Sequence, residues 1–188
     1  MPRVKLFNKD EALRKSMELF WEKGYASTSL SDLTEHLGIG KSSFYATFYS
    51  KQALFEDAFD LYRNSKVELL EQLLNSEQNV KIGLRKLLEF NLDELLSDNK
   101  HKGCFITNIC SEFFGTNEDL KDKLVEHFAI VQQALENYFR LGNVSAEKAK
   151  SVASIIFIFL MGMNQQAKFN RDKMTYLSSI KQLVKLLD

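Results

Sequence analysis

The sequence predicts an all-α fold: a three-helix module over residues 1–50, followed by a six-helix domain over 51–188. Three observations carry this. The single proline of the 188 residues is Pro2, so no helix interior further along is interrupted. Hydrophobic residues make up 45% of the chain and charged residues 27%, ordinary proportions for a packed globular protein. Apolar side chains recur at helical spacing between residues that start and stop helices.

Each element has its own signals. The first helix is predicted over 8–23, with Asn8 as N-cap, Glu11 three positions on, and Gly24 as the stop. Its expected inward stripe is Leu13, Met17, Phe20 and Trp21. Ser29 and Asp32 spell a capping box for a second helix that ends at Gly38 and turns Leu30, Leu33 and Leu37 inward. After Gly38-Ile39-Gly40 a third helix is predicted over 41–48, with Ile39, Phe44 and Phe48 buried. Ser50 caps a long fourth helix, predicted over 51–74. A fifth follows over 80–96, then the polar loop SDNKHKG and a short sixth over 104–114. Thr116 or Asn117 caps a seventh helix reaching 141. Ser145 caps an eighth reaching 170, and a ninth covers 173–187. No internal repeat, low-complexity linker or strand-like alternation interrupts this order.

Residues 28–51, TSLSDLTEHLGIGKSSFYATFYSK, place a capped helix, a glycine turn and a short second helix in series. That is how a helix-turn-helix is written, and its second helix enters the DNA major groove. The formal net charge of zero does not exclude DNA, because local distribution governs phosphate contact. Over residues 1–51, eight Lys and Arg face six Asp and Glu, a small excess that favours a dimer over a lone reader. Lys41 and Lys51 are positioned to neutralise phosphates. Thr28 and Ser29 offer hydroxyls beside the free N–H groups of the second helix. Ser42, Ser43 and Thr47 are short enough to reach base edges, and the methyls of Ala46 and Thr47 could meet a thymine methyl. Tyr49 is expected at phosphate or sugar.

The same stretch closely resembles the TetR family of bacterial transcriptional regulators. Gly24-Tyr25, Thr28-Ser29, Asp32-Leu33, Gly38, Lys41-Ser42-Ser43-Phe44-Tyr45, Phe48 and Ser50-Lys51 with Leu54-Phe55 carry the likeness. The resemblance implies a phosphate or sugar contact for Tyr45. It also implies a regulatory domain behind the reader; helices eight and nine are expected to pair two copies, because the run 152–163 is too apolar to be left on a monomer surface. Thr34-Glu35, Gly40 and Ala46-Thr47 depart from the family's usual pattern, so the operator sequence is this protein's own. Gly103-Cys104-Phe105-Ile106, Glu112 and residues 161–168 resemble a subset with a Gly-Cys motif opening helix six. Some members of that subset are thought to answer electrophiles or oxidants.

Cys104, at a helix start, is therefore a candidate thiol sensor, with Lys168 brought near it if the resemblance holds. The bland alternative is a small packing residue. Cys110 lies about 9 Å further along one helix, too far for a strainless disulfide. An effector pocket is expected among Phe105, Phe113, Phe114, Phe128, Gln132, Phe157, Met161 and Gln165, residues that equally suit a core. His36, His101 and His127 show no ligand spacing and suggest surface or helix-face positions. No metal, cofactor or catalytic set is expected. The N-terminus lacks the apolar core of a signal peptide, and the run 152–163 is too short to span a bilayer, so a cytoplasmic protein is expected. The combined reading is a homodimeric repressor, binding a near-palindromic double-stranded operator and released by a small-molecule or electrophilic inducer. The alternatives are an activator, or a helical ligand carrier or small enzyme with an incidental helix-turn-helix.

Overall fold

The computed structural model describes residues 8–113 and 118–188. Among them the chain forms nine α-helices and no strand. In order they are α1 (Lys9–Lys23), α2 (Leu30–Leu37), α3 (Lys41–Phe48), α4 (Lys51–Asn75), α5 (Val80–Ser97), α6 (Phe105–Glu112), α7 (Glu118–Leu141), α8 (Ala146–Gln166) and α9 (Lys173–Val184). A 3-10 turn at Lys185–Leu187 follows. Two compact units emerge, Met1–Arg63 and Asn64–Asp188, and the division falls within α4. The first unit thus takes in half of α4 along with α1 to α3.

In the first unit the caps work as their residues suggest. Asn8 Oδ1 accepts from the backbone N–H groups of Asp10 and Glu11, at 3.0 and 3.2 Å. Such a cap contributes about 1 kcal/mol. Ser29 Oγ accepts from Asp32 N at 3.1 Å while Asp32 Oδ2 accepts from Ser29 N at 2.8 Å, closing the capping box. Ser50 Oγ accepts from Ala53 N at 3.0 Å and starts α4.

Aromatic rings form the centre of this unit. Phe20 meets Phe55 edge-on, with centroids 5.1 Å apart, and Tyr25 lies 4.8 Å from Phe55. Trp21 stands against Tyr62 at 5.1 Å, and Phe44 against Phe48 at 5.6 Å. Leu33, Phe44, Leu54, Ala58 and Phe59 are wholly buried. The inward face of α1 differs from the expected stripe. Ala12, Ser16, Leu19 and Phe20 are buried, whereas Leu13, Met17 and Trp21 are only half-buried. Ser16 enters the core because its hydroxyl donates to Ala12 O at 2.9 Å, leaving no unpaired polar group.

In the second unit α7 packs along α8, and α5 along α9. Leu84, Leu88 and Leu92 of α5 meet Leu135 and Phe139 of α7, Ile156 of α8 and Ile180 of α9 in one buried cluster. Tyr138 Oη donates to Glu77 O at 2.7 Å and fixes the turn ahead of α5. Only glycine fits at position 83, since a Cβ there would lie 1.9 Å from Tyr138 Oη. Helix α8 ends at Gln166 and not at 170: Lys168 N and Phe169 N bond to Gln165 O and Gln166 O, tightening the helix into a turn. Arg171 then donates to Leu95 O at 2.9 Å and to Leu96 O, satisfying carbonyls at the end of α5. Helix α6 begins at Phe105 with Cys104 as its N-cap. The expected caps Thr116 and Asn117 lie outside the described residues.

Candidate nucleic-acid interface and regulatory site

The interface is built on the short helix α3. Phe44 and Phe48 lie one turn apart and are buried, so the helix is pinned along one side. The opposite side is open: Lys41, Ser42, Ser43, Tyr45 and Ala46 are all exposed. Gly40 caps the helix by backbone conformation alone, with no side chain on the first N–H groups. Thr47 is half-buried, and its hydroxyl donates to Ser43 O at 2.9 Å. It can therefore present its methyl, while the hydroxyl is already engaged.

Beyond α3 the chain turns sharply. Tyr49 has φ 62° and ψ −47°, and Ser50 N donates to Phe48 O at 2.6 Å, which makes a γ-turn of the strained, positive-φ kind. A non-glycine residue with such a φ costs about 1–2 kcal/mol. Its ring is nonetheless 80% exposed and repays nothing by packing. Lys51 places its Nζ 4.2 Å from the ring centroid of Tyr25, a cation–π contact that orients the ammonium at the first turn of α4.

One expected contact moves inside. Thr28 is fully buried, and its hydroxyl donates to Gly24 O at 2.6 Å. It holds the α1–α2 turn and offers no side chain to a partner. Ser29 is exposed, but its hydroxyl both accepts from Asp32 N and donates to Asp32 Oδ2 at 2.5 Å. Lys23 Nζ bonds Asp32 Oδ1 at 2.7 Å and ties the end of α1 to the start of α2. The Lys23 bond first, and then the Ser29 hydroxyl and N–H, hold the Asp32 carboxyl far below its ordinary value of 3.8.

In the second unit a polar cluster gathers at the start of α6. Gly103 has φ 70°, and a Cβ there would meet Lys168 Cε at 2.5 Å and Asn164 O at 2.9 Å. Only glycine allows α8 to approach this closely. Lys168 Nζ donates to Asn108 Oδ1, and Asn108 Nδ2 donates to Lys102 O at 2.9 Å. Asn91 Nδ2 donates to Asn164 Oδ1 at 3.0 Å, linking α5 to α8. Burial lowers the Lys168 ammonium pKa, with the neighbouring Cys104 opposing that shift. Cys104 and Cys110 are both half-buried, and neither forms a disulfide. Burial pushes the Cys110 thiol up to about 11, and Cys104 adds to the shift. Cys110 is thus held protonated and unreactive near neutral pH.

The expected pocket residues lie on α6, α7 and α8 and in the turn after α6. Phe105 is buried in the core, and Phe128 packs on Phe157 with ring centroids 5.2 Å apart. Phe113, Gln132, Met161 and Gln165 are half-buried, and Phe114 lies outside the described residues. A groove of about 490 Å³ opens between the end of α8 and α9. Its lining is Phe159, Gly162, Met163, Gln165, Gln166, Phe169 and Tyr176. Gln165 is the one lining residue expected from the sequence. The missed signal is Gly162, which leaves α8 bare beside an exposed Phe169. His127 is also buried, contrary to a surface position, and packs its ring 6.1 Å from that of Phe128. No group of three or more His, Cys, Asp or Glu side chains suited to a metal occurs among the described residues.

Comparison with known proteins places this geometry. Residues 12–58 match the family described as bacterial regulatory proteins, tetR family. Residues 82–182 match the C-terminal domain of LmrA/YxaF-like transcriptional regulators. The HTH-type transcriptional repressor ComR of Escherichia coli (strain K12) is 32% identical over 137 residues, which cover 72% of this chain and 65% of ComR. The regulator YezE of Bacillus subtilis (strain 168) is 31% identical over 147 residues, 78% of this chain and 74% of YezE. A cysteine mutant of the TetR-family regulator CifR, complexed with a 26-bp double-strand operator DNA, superposes with a TM-score of 0.84 at 25% identity. That superposition covers 97% of this chain and 98% of CifR.

The Asp32 cluster generates a pH prediction. A carboxyl whose folded pKa is depressed contributes stability above its unfolded pKa and loses it as pH falls towards the folded value. The melting temperature should therefore decline as pH is lowered from about 5 to about 2, and Asp32→Asn should decline less steeply. Thermal unfolding across this range checks it; equal slopes would show that the Lys23–Asp32 pair contributes nothing.

Proposed function

The chain belongs to the TetR family of bacterial regulatory proteins, and we propose that it is a dimeric, cytoplasmic transcriptional repressor released from its operator by a small-molecule or electrophilic inducer. The single observation that carries the DNA-binding half is the α3 surface. Lys41, Ser42, Ser43, Tyr45 and Ala46 stand outward on a helix whose other side is fixed by Phe44 and Phe48. In this reading Lys41 and Lys51 neutralise phosphates, and Tyr45 and Tyr49 meet phosphate or sugar. Ser42, Ser43, Ala46 and the Thr47 methyl face bases. The Ser29 hydroxyl is engaged with Asp32, so the start of α2 contributes its backbone N–H groups. The operator complex of CifR supports the reading.

Pairing through α8 and α9 is supported by the apolar side chains exposed there: Ile155, Ile158, Phe169 and Met174. A second copy covers such a face, and two-fold symmetry then calls for a near-palindromic operator. Helix α4 begins in the reader and ends in the second unit, so it is the covalent path from inducer to DNA. An inducer works only if it binds the released conformation more tightly than the DNA-bound one. No helix among the described residues is long and apolar enough to cross a membrane.

Cys104 is the proposed entry point for an electrophile. It caps α6, beside Gly103 where Lys168 and α8 approach most closely, while Cys110 is held as the thiol. Addition of the Cys104 S–H across an activated double bond forms one C–S bond in place of the π bond, and the thiol proton ends on the adjacent carbon. In this reading the added bulk, next to the close approach of Lys168 and Asn164 to Gly103, shifts α6.

Binding of the DNA upstream of its own gene, or of a duplex selected from a random library, tests the reading in a gel-shift titration. Lys41→Ala and Lys51→Ala should each weaken binding on every sequence and reduce the salt slope by about one. A wild type that binds no duplex, or variants with unchanged slopes, would overturn the assignment. N-ethylmaleimide should release the duplex from wild type and leave the Cys104→Ser complex intact. Equal release from both proteins would place the inducer elsewhere, with a reversible ligand favoured.

A further inference from the structure

We infer that Tyr49 is held in a strained turn because its ring contacts the sugar–phosphate backbone of the operator, making it an affinity-setting residue of the reader. The inference deepens the regulator reading and rests on it.

Three facts converge on this residue. The connection between α3 and α4 is only Tyr49-Ser50, and both flanking anchors, Phe48 and Leu54, are buried. So short a link requires the γ-turn, and the residue that makes such a turn without strain is glycine. The chain has tyrosine there, at φ 62°, with the side chain 80% exposed. No packing among the described residues of the unit therefore explains the ring. Backbone strain concentrates where surrounding structure over-determines a conformation that function uses.

The neighbours say what the ring meets. Tyr45 lies one helical turn earlier, 51% exposed, and its carbonyl accepts from Tyr49 N at 3.1 Å. Two tyrosines thus project from the end of α3. Lys51 follows two residues later, its ammonium steered by Tyr25. Exposed rings beside an oriented cation, at the end of a helix whose polar face is open, suit a sugar–phosphate strand: the ring packs on the sugar and the phenol donates to a phosphate. The contact adds no charge, so it differs from Lys41 and Lys51 in its salt dependence.

Two variants separate strain from contact. Tyr49→Ala removes the ring and keeps the strain; Tyr49→Gly removes both. With a duplex selected by the wild type from a random library, both variants should weaken binding by about tenfold at fixed salt, with the wild-type salt slope retained. Thermal unfolding should then set them apart, Tyr49→Gly melting a few degrees above Tyr49→Ala. Wild-type affinity in Tyr49→Ala overturns the contact, and equal melting of the two variants overturns the strain. A wild type that selects no duplex removes the regulator reading itself, a result distinct from either.

Discussion

Phe20 against Phe55 is the contact on which the reader depends. The pair is edge-to-face, with centroids 5.1 Å apart, and Tyr25 closes on Phe55 from the α1–α2 turn. Each buried ring removes enough apolar surface from water to contribute about 2–3 kcal/mol. That matters because α2 and α3 have only eight residues each. Helices so short do not persist alone in water. They exist because Leu33, Phe44 and Phe48 are drawn into an aromatic centre that α1 and α4 supply. The same anchoring decides the function. A helix fixed along one side by two phenylalanines must present its other side, and here that side carries hydroxyls, a methyl, a tyrosine and a lysine.

The second unit applies the same economy at a different place. Gly103 lets α8 come close enough for Lys168 to reach Asn108, so the start of α6 is held by a polar bond and by lack of space. A half-buried ammonium bonded to an amide is a poor place to add volume. The groove at α8 and α9 has the opposite character. Phe169 is 87% exposed and Gly162 offers bare backbone, so the groove is open and apolar where the start of α6 is closed and polar.

The sequence made local devices legible and hid those that depend on distant residues. Asn8, the Ser29–Asp32 box and Ser50 each act within three or four positions, so the starts of α1, α2 and α4 could be placed, and Gly38 marks the end of α2. Thr28 shows the limit. Its hydroxyl looks available until the turn brings Gly24 O within 2.6 Å. Ala12 and Ser16 were hidden for a related reason, since size suggests Leu13 and Met17 for the core while close packing selects the small side chains. The end of α8 escaped because the tightening at Ala167–Phe169 carries no proline or glycine signal. Phe and Gln at helical spacing serve a core as well as a cavity, so the sequence could not separate the two at Phe105, which is buried in the core. The family resemblance suggested Lys168 near Cys104, and the structure brings the Lys168 side chain against Gly103, the residue before it.

The central claim is that DNA is met by the open side of α3 and the turn into α4. Amide hydrogen exchange, followed along the whole chain with and without a selected operator duplex, tests it most directly. Exchange should slow over residues 41–51 and at the start of α2, with α9 unchanged. Protection confined to the second unit, with residues 41–51 exchanging as in the free protein, would contradict it.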